Sequence, residues 1–140
     1  MNFSISVDID APRERVWAIM SDIERWPEWT ASVKRVRQLT PGPMAVGTKA
    51  FVRQPRLPPA FWKVVSFEPN ECFTWVSSSP GFSITARHSV QSIERGSRAT
   101  LSLQFAGLLG PALARLTRDL NDRYLALEAA GLKRRSEGAN

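Results

Sequence analysis

The chain has 140 residues, 43% apolar and 23% charged, which is enough for one globular domain and too few for two. A single cysteine, Cys72, excludes an intrachain disulfide and a thiolate zinc site. Nineteen basic against thirteen acidic residues leave a net charge of +6, so an anionic partner has to be weighed.

Residues 3–9 alternate Phe3, Ile5, Val7 and Ile9 with polar side chains, the pattern of a half-buried strand. Such a start lacks the basic residues and apolar block of a signal peptide, and the expectation is a cytoplasmic protein. Asp10 is placed to cap a helix that Pro12 opens, with Val16, Ile19, Met20 and Ile23 on one face and Pro27 as its stop. Trp26-Pro27-Glu28-Trp29 reads as a tight corner, and Trp17, Trp26 and Trp29 as packing around it.

From residue 32 to 105 the pattern is strand-like, broken at Pro41-Gly42-Pro43, residues 55–59, Pro69-Asn70-Glu71, Pro80-Gly81 and Arg95-Gly96-Ser97. The strands expected between these turns are 32–39, 47–54, 60–68, 72–78, 82–94 and 97–105. Short connections make sequence neighbours antiparallel. Residues 33–67 carry seven basic and no acidic groups, spaced as solvent-facing positions of an outer sheet face.

After Gly110-Pro111, apolar residues recur at Leu113, Leu116, Leu120, Tyr124 and Leu127, predicting an amphipathic helix of about five turns. Leu113, Leu116, Leu120 and Leu127 are expected to face the sheet. The longest apolar stretch without a polar side chain, residues 106–114, is nine residues long with two glycines and a proline; it cannot cross a bilayer. The predicted fold is α+β: a seven-stranded curved antiparallel sheet gripping a long C-terminal helix, with two short helices after the first strand. Residues 1–133 would form one domain and 134–140 a polar tail.

Several segments then resemble a known family. Ala11-Pro12-Arg13-Glu14-Arg15-Val16-Trp17, Asp22 and Trp26-Pro27-Glu28-Trp29 are similar to the opening signature of the START-like helix-grip (SRPBCC) superfamily, nearest its polyketide cyclase/dehydrase-like group. Val46-Gly47-Thr48, Gln54-Pro55, Trp62-Lys63-Val64, Glu68-Pro69 and the closing run from Phe105 through Tyr124, Glu128 and Gly131-Leu132-Lys133 extend the likeness over nearly the whole chain. The resemblance implies a cavity between sheet and helix for an apolar or amphipathic small molecule. It does not imply one reaction. The Asp/His/His iron site of the superfamily's oxygenases is missing, since His88 is the one histidine.

Within that frame, Ile84, Ala86, His88 and Val90 share one strand face. His88 is therefore either a cavity group, able to donate to a ligand or act as general base, or a buried histidine bonded to a neighbour. Gln54 shares parity with Ala50 and Val52 and is preferred over Arg53 as a polar cavity residue. Trp62 and Trp75 are cavity wall or plain core. Tyr124 meets a ligand or reaches a backbone carbonyl. Cys72 has no nucleophile partner in its vicinity.

The candidate ligand-binding set is Gln54, Trp62, Trp75, Ile84, Ala86, His88, Leu101, Leu116, Leu120 and Tyr124. The candidate catalytic groups are His88 and Tyr124. No metal and no cofactor are expected. The partner expected is a hydrophobic small molecule of polyketide, aromatic or lipid-like type, with no nucleic acid and no transmembrane segment, for a monomer or homodimer. Binding or transport of that molecule is the first reading. The alternative is a polyketide cyclase/dehydratase with His88 as acid/base. Residues 55–59 and 106–110 are the expected rims of the cavity.

Overall fold

A computed structural model describes residues 2–138; Met1 and residues 139–140, at the ends of the expected domain and tail, lie outside it. The chain begins with strand β1 (Asn2–Ile9), helix α1 (Arg13–Ser21) and a 3₁₀ helix (Ile23–Glu28). Six strands follow: β2 (Arg35–Gln38), β3 (Lys49–Arg53), β4 (Ala60–Glu68), β5 (Cys72–Ser79), β6 (Phe82–Ser92) and β7 (Ser97–Ala106). Helices α2 (Gly110–Leu116) and α3 (Arg118–Glu137) close it. The strands form one sheet in the order β1-β7-β6-β5-β4-β3-β2, every neighbouring pair antiparallel. This is the expected curved sheet and long C-terminal helix, with α1 and the 3₁₀ helix as the two short helices after β1.

Turn chemistry explains the hairpins. Asn70 takes a left-handed φ of 64° between β4 and β5, a conformation its short polar side chain tolerates. Gly81, at φ 88°, turns β5 into β6. At the N-terminal end, Pro12 rather than Asp10 precedes α1, and no side chain caps that helix. Asp10 instead donates its backbone N–H to Glu137 at 2.8 Å. The α1 helix stops at Ser21, before Pro27, which sits inside the 3₁₀ helix.

The long helix departs from expectation in two ways. It is interrupted at Thr117, whose hydroxyl donates back to the Leu113 carbonyl at 2.8 Å, a local bond that competes with regular helix geometry. Its buried face is also about a quarter turn away from the leucine stripe. Ala114, Asn121, Tyr124, Leu125, Ala129 and Leu132 are buried, Leu120 and Leu127 are half-buried, and Leu116 is 82% exposed. On this face Ala114, Asn121 and Ala129 alternate with the larger Tyr124, Leu125 and Leu132, and the small side chains let the helix approach closely between them.

Residues 134–137 of the expected tail belong to α3, which continues to Glu137 and is tied down there. Arg135 pairs with Glu28 at 2.7 Å, Arg134 donates to the Trp29 carbonyl at 3.3 Å, and Arg15 donates to the Ser136 carbonyl at 2.6 Å. No described helix is long and apolar enough to cross a membrane.

The core lies between the concave sheet face and α1, the 3₁₀ helix and α3, with Ile9, Val16, Met20, Val64, Phe73 and Leu132 fully buried. On the opposite sheet face, Arg35 lies directly across from Arg53 and Lys49 directly across from Lys63. Phe51 and Phe61 sit between these rows, ring centroids 5.5 Å apart.

Candidate functional site

Strand parity determines which side chains meet beneath the helix. In β5, Phe73, Trp75 and Ser77 point inward; in β6, Ala86, His88 and Val90 do so. Cross-strand register then sets Phe73 beside His88 and Trp75 beside Ala86. The His88 imidazole lies flat on the Phe73 ring, centroids 4.4 Å apart and planes within 10°. Trp75 stands between Trp26 and Trp62, at 5.4 Å and 5.5 Å. The Trp26 indole is anchored by its N–H to the Met20 carbonyl at 2.9 Å.

Over this aromatic floor the space divides into two lobes that share Gln54, Leu57, Trp62 and Asn121. The inner chamber has a volume of about 60 Å³, room for a few water molecules and not for a ring. His88, Trp75, Ala86, Leu101 and Tyr124 border it, together with Trp26 and Glu128. The outer lobe measures about 270 Å³, close to the lower end of small-molecule sites. Phe61, Phe82, Ile84, Phe105 and Leu113 wall it, and Pro58 and Pro59 form part of its rim.

Of the ten side chains selected from the sequence, Gln54, Trp62, Trp75, Ile84, Ala86, His88, Leu101 and Tyr124 thus border one lobe or both. Leu116 and Leu120 border neither, because the helix presents a different face. Leu113 is the leucine of that stripe that reaches the outer lobe. Sequence reasoning missed Asn121 and Glu128. Their signal was a second stripe, Asn121, Tyr124 and Glu128 at i, i+3 and i+7, in which a polar face turned inward. Trp26, assigned to packing alone, packs and borders the chamber as well.

The polar groups of the chamber differ in character. His88 is buried, and desolvation drives its pKa from 6.5 down to about 3 against a smaller opposing hydrogen-bond effect of the Phe73 backbone. The imidazole is therefore neutral at physiological pH, and a proton on it would be held too weakly for it to serve as an efficient general base there. Its Nδ1 is buried and has no hydrogen-bond partner among the described residues. Glu128 behaves oppositely: desolvation pushes its pKa up to about 7, while the Ser32 hydroxyl, donating at 3.2 Å, resists. The acid/base group poised near neutrality is Glu128, not His88.

Tyr124 donates its hydroxyl to the Pro55 carbonyl, and desolvation raises its pKa. That bond fastens the β3–β4 loop to α3. Gln54 donates to the Ser32 carbonyl at 3.2 Å, and Asn121 to the Thr117 hydroxyl at 2.9 Å. Among the described residues no cluster of three or more His, Cys, Asp or Glu side chains is spaced to hold a metal ion.

The family profile described as polyketide cyclase / dehydrase and lipid transport matches residues 1–137. The chain belongs to that family. Solved structures share its fold at low sequence identity. A hypothetical protein from Helicobacter pylori superposes with a TM-score of 0.80 at 13% identity, over 96% of this chain and 86% of that one. The Zhui aromatase/cyclase from a Streptomyces species gives 0.78 at 13% identity, over 98% and 93%. A START superfamily protein from Mycobacterium smegmatis gives 0.73 at 19% identity, over 97% of each chain. No curated protein matches the chain by sequence. At these identities the likeness establishes the fold of this family member, and its chemistry has to be argued from the cleft itself.

Proposed function

We propose that the protein binds a ring-containing hydrophobic molecule, seating the ring in the outer lobe and directing a polar end toward the inner chamber. The observation that carries this reading is the size and lining of the two joined lobes. The outer one has room for a ring between aromatic and aliphatic walls; the inner one has room only for a small polar group near His88, Asn121 and Glu128. An apolar space of this size left dry would forfeit packing contacts with no return in binding. Trp62, which borders both lobes, and Trp75 at the inner end are the natural reporters.

Titration with naphthol should quench or shift tryptophan emission saturably. Leu113→Glu, which places a charge in the outer lobe, should weaken the titration while circular dichroism stays unchanged. Absence of any saturable signal with naphthol and with larger fused-ring probes would overturn the reading. Native mass spectrometry of freshly purified protein, looking for a retained small molecule, is the complementary experiment.

Glu128 supports a second reading, cyclase/dehydratase chemistry on such a ligand. A carboxyl group with a pKa of about 7 is able to take a proton from carbon and return one to a departing hydroxyl. In that reading neutral His88 orients the substrate through a hydrogen bond and Glu128 carries the proton. Turnover of an identified substrate should then be lost in Glu128→Gln and only reduced in His88→Gln.

A further inference from the structure

The end of the molecule at which the outer lobe opens has an unusual surface. Three connections meet there: the β3–β4 loop, the β5–β6 turn and the segment joining β7 to α2. Leu109 donates its N–H to the Gly81 carbonyl at 2.8 Å, and its side chain covers Gly81, which ties the last two connections together. Beside the opening, Leu108, Leu109 and Leu116 are exposed, Leu108 to 93%. Single exposed leucines are ordinary, but three within nine residues are not.

Charge is sorted in the same way. Residues 53–63, 77–84 and 105–118, which build this end, contain no aspartate or glutamate, while Arg56, Arg115 and Arg118 are exposed on it. None of these three arginines forms a salt bridge with a described residue. The first acidic groups beyond it are Asp119 and Asp122 on α3. The opposite end of the sheet carries Asp10, Glu14, Glu68, Glu71 and Glu94.

From this juxtaposition we infer that the open end of the cleft docks on an anionic lipid bilayer, Leu108, Leu109 and Leu116 entering the interface while Arg56, Arg115 and Arg118 meet the headgroups. Apolar side chains flanked by unpaired arginines are the two components that interfacial binding to anionic lipid requires. A second copy of this chain fits worse. A two-fold interface sets a patch against itself, so these arginines would face arginines, with only Asp119 and Asp122 at the margin to offset them. Docking in this orientation turns the cleft toward the membrane, so that an apolar ligand passes between lipid and protein without crossing water. That consequence rests on the ligand-binding reading above; the docking itself does not.

Co-sedimentation with phosphatidylcholine vesicles, with and without phosphatidylserine, tests the inference on the intact protein. Binding should require phosphatidylserine and decline with salt. The double variant Leu108→Ser with Leu116→Ser should weaken it by about tenfold or more. Arg115→Gln with Arg118→Gln should weaken it by a similar factor, roughly tenfold. Neither pair borders the cleft, so naphthol titration without vesicles should be unchanged in both. Three results would overturn the inference: no binding to anionic vesicles, binding that the leucine pair leaves intact, or concentration-dependent self-association that the leucine pair abolishes. A protein that takes up no naphthol yet docks through these residues loses the ligand reading and keeps this one.

Discussion

Gly131 brings the backbone of α3 against the carbonyl oxygen of Trp29: a Cβ on residue 131 would stand 1.9 Å from that oxygen. Glycine inside a helix is ordinarily a disadvantage of about 1 kcal/mol relative to alanine. Here it permits the close crossing that seats α3 against the 3₁₀ corner, with Arg134 donating to the same carbonyl. Gly131→Ala gains helix propensity and meets backbone that cannot swing aside. The clash should dominate, with a net loss of about 2 kcal/mol or more in urea unfolding. A variant as stable as the parent would show that the helix slides without cost.

Leu116 at the end of α2 and Leu125 in α3 make a contrasting pair. Leu116→Ala removes an exposed side chain and should change stability by less than about 0.5 kcal/mol. Leu125→Ala empties a buried site beside the inner chamber and should cost about 2–4 kcal/mol, toward the low end if the chamber already relieves packing there. Equal losses at the two positions would place the leucine stripe, not the observed face, against the sheet.

That contrast also explains what the sequence does and does not reveal. Strands are legible because alternation has a period of two and the turns carry their own signals, so once His88 points inward, Ala86 and Val90 must follow. The same rule selects Gln54 over Arg53. Helix α3 is harder. Hydrophobic periodicity finds the stripe richest in leucine, yet the buried face includes Ala129, and Gly131 sets the close crossing with Trp29; no hydropathy pattern reports the small size of these residues. Asn121 and Glu128 were hidden for that reason. Trp26 was hidden because a short 3₁₀ corner has no periodicity to read. The pKa values of His88 and Glu128 depend on burial produced by several distant segments, which local pattern does not contain.

The outer face of the sheet offers a test of charge. Arg35 opposite Arg53 and Lys49 opposite Lys63 place like charges directly across from each other, an arrangement that destabilises a strand pair. All four are exposed, and none forms a salt bridge with a described residue. Arg53→Glu and Lys63→Glu should each raise stability, by about 0.2–1 kcal/mol, and the gain should shrink in high salt. The two substitutions act on different pairs, so their effects should be nearly additive. Unchanged or lower stability would mean that these side chains already diverge far enough to avoid each other.

The titrations of His88 and Glu128 should cancel in the intact protein and separate in the variants. Folding lowers the His88 pKa from 6.5 to about 3 and raises that of Glu128 from 4.5 to about 7. Between pH 4.5 and 6.5 the folded protein holds a proton on Glu128 and none on His88, while the unfolded chain holds one on the histidine and none on the glutamate. Both states bind one proton across the pair, so stability should be nearly flat in that interval. Glu128→Gln leaves the histidine alone. The unfolded state then binds the extra proton, and stability should fall as pH drops below 6.5, with a limiting slope of about 1.4 kcal/mol per pH unit. His88→Leu leaves the glutamate alone, so the folded state binds the extra proton and stability should fall as pH rises from 4.5 to 7, by on the order of 2 kcal/mol in all given that Glu128 is only half-buried. Below pH 4.5 the intact protein itself should weaken, because only the His88 difference remains there. Urea unfolding of the three proteins across this range reads every slope directly. Opposite slopes in the two variants with a flat parent are the expected result; slopes of the same sign would show that one of these side chains is solvated in the folded protein.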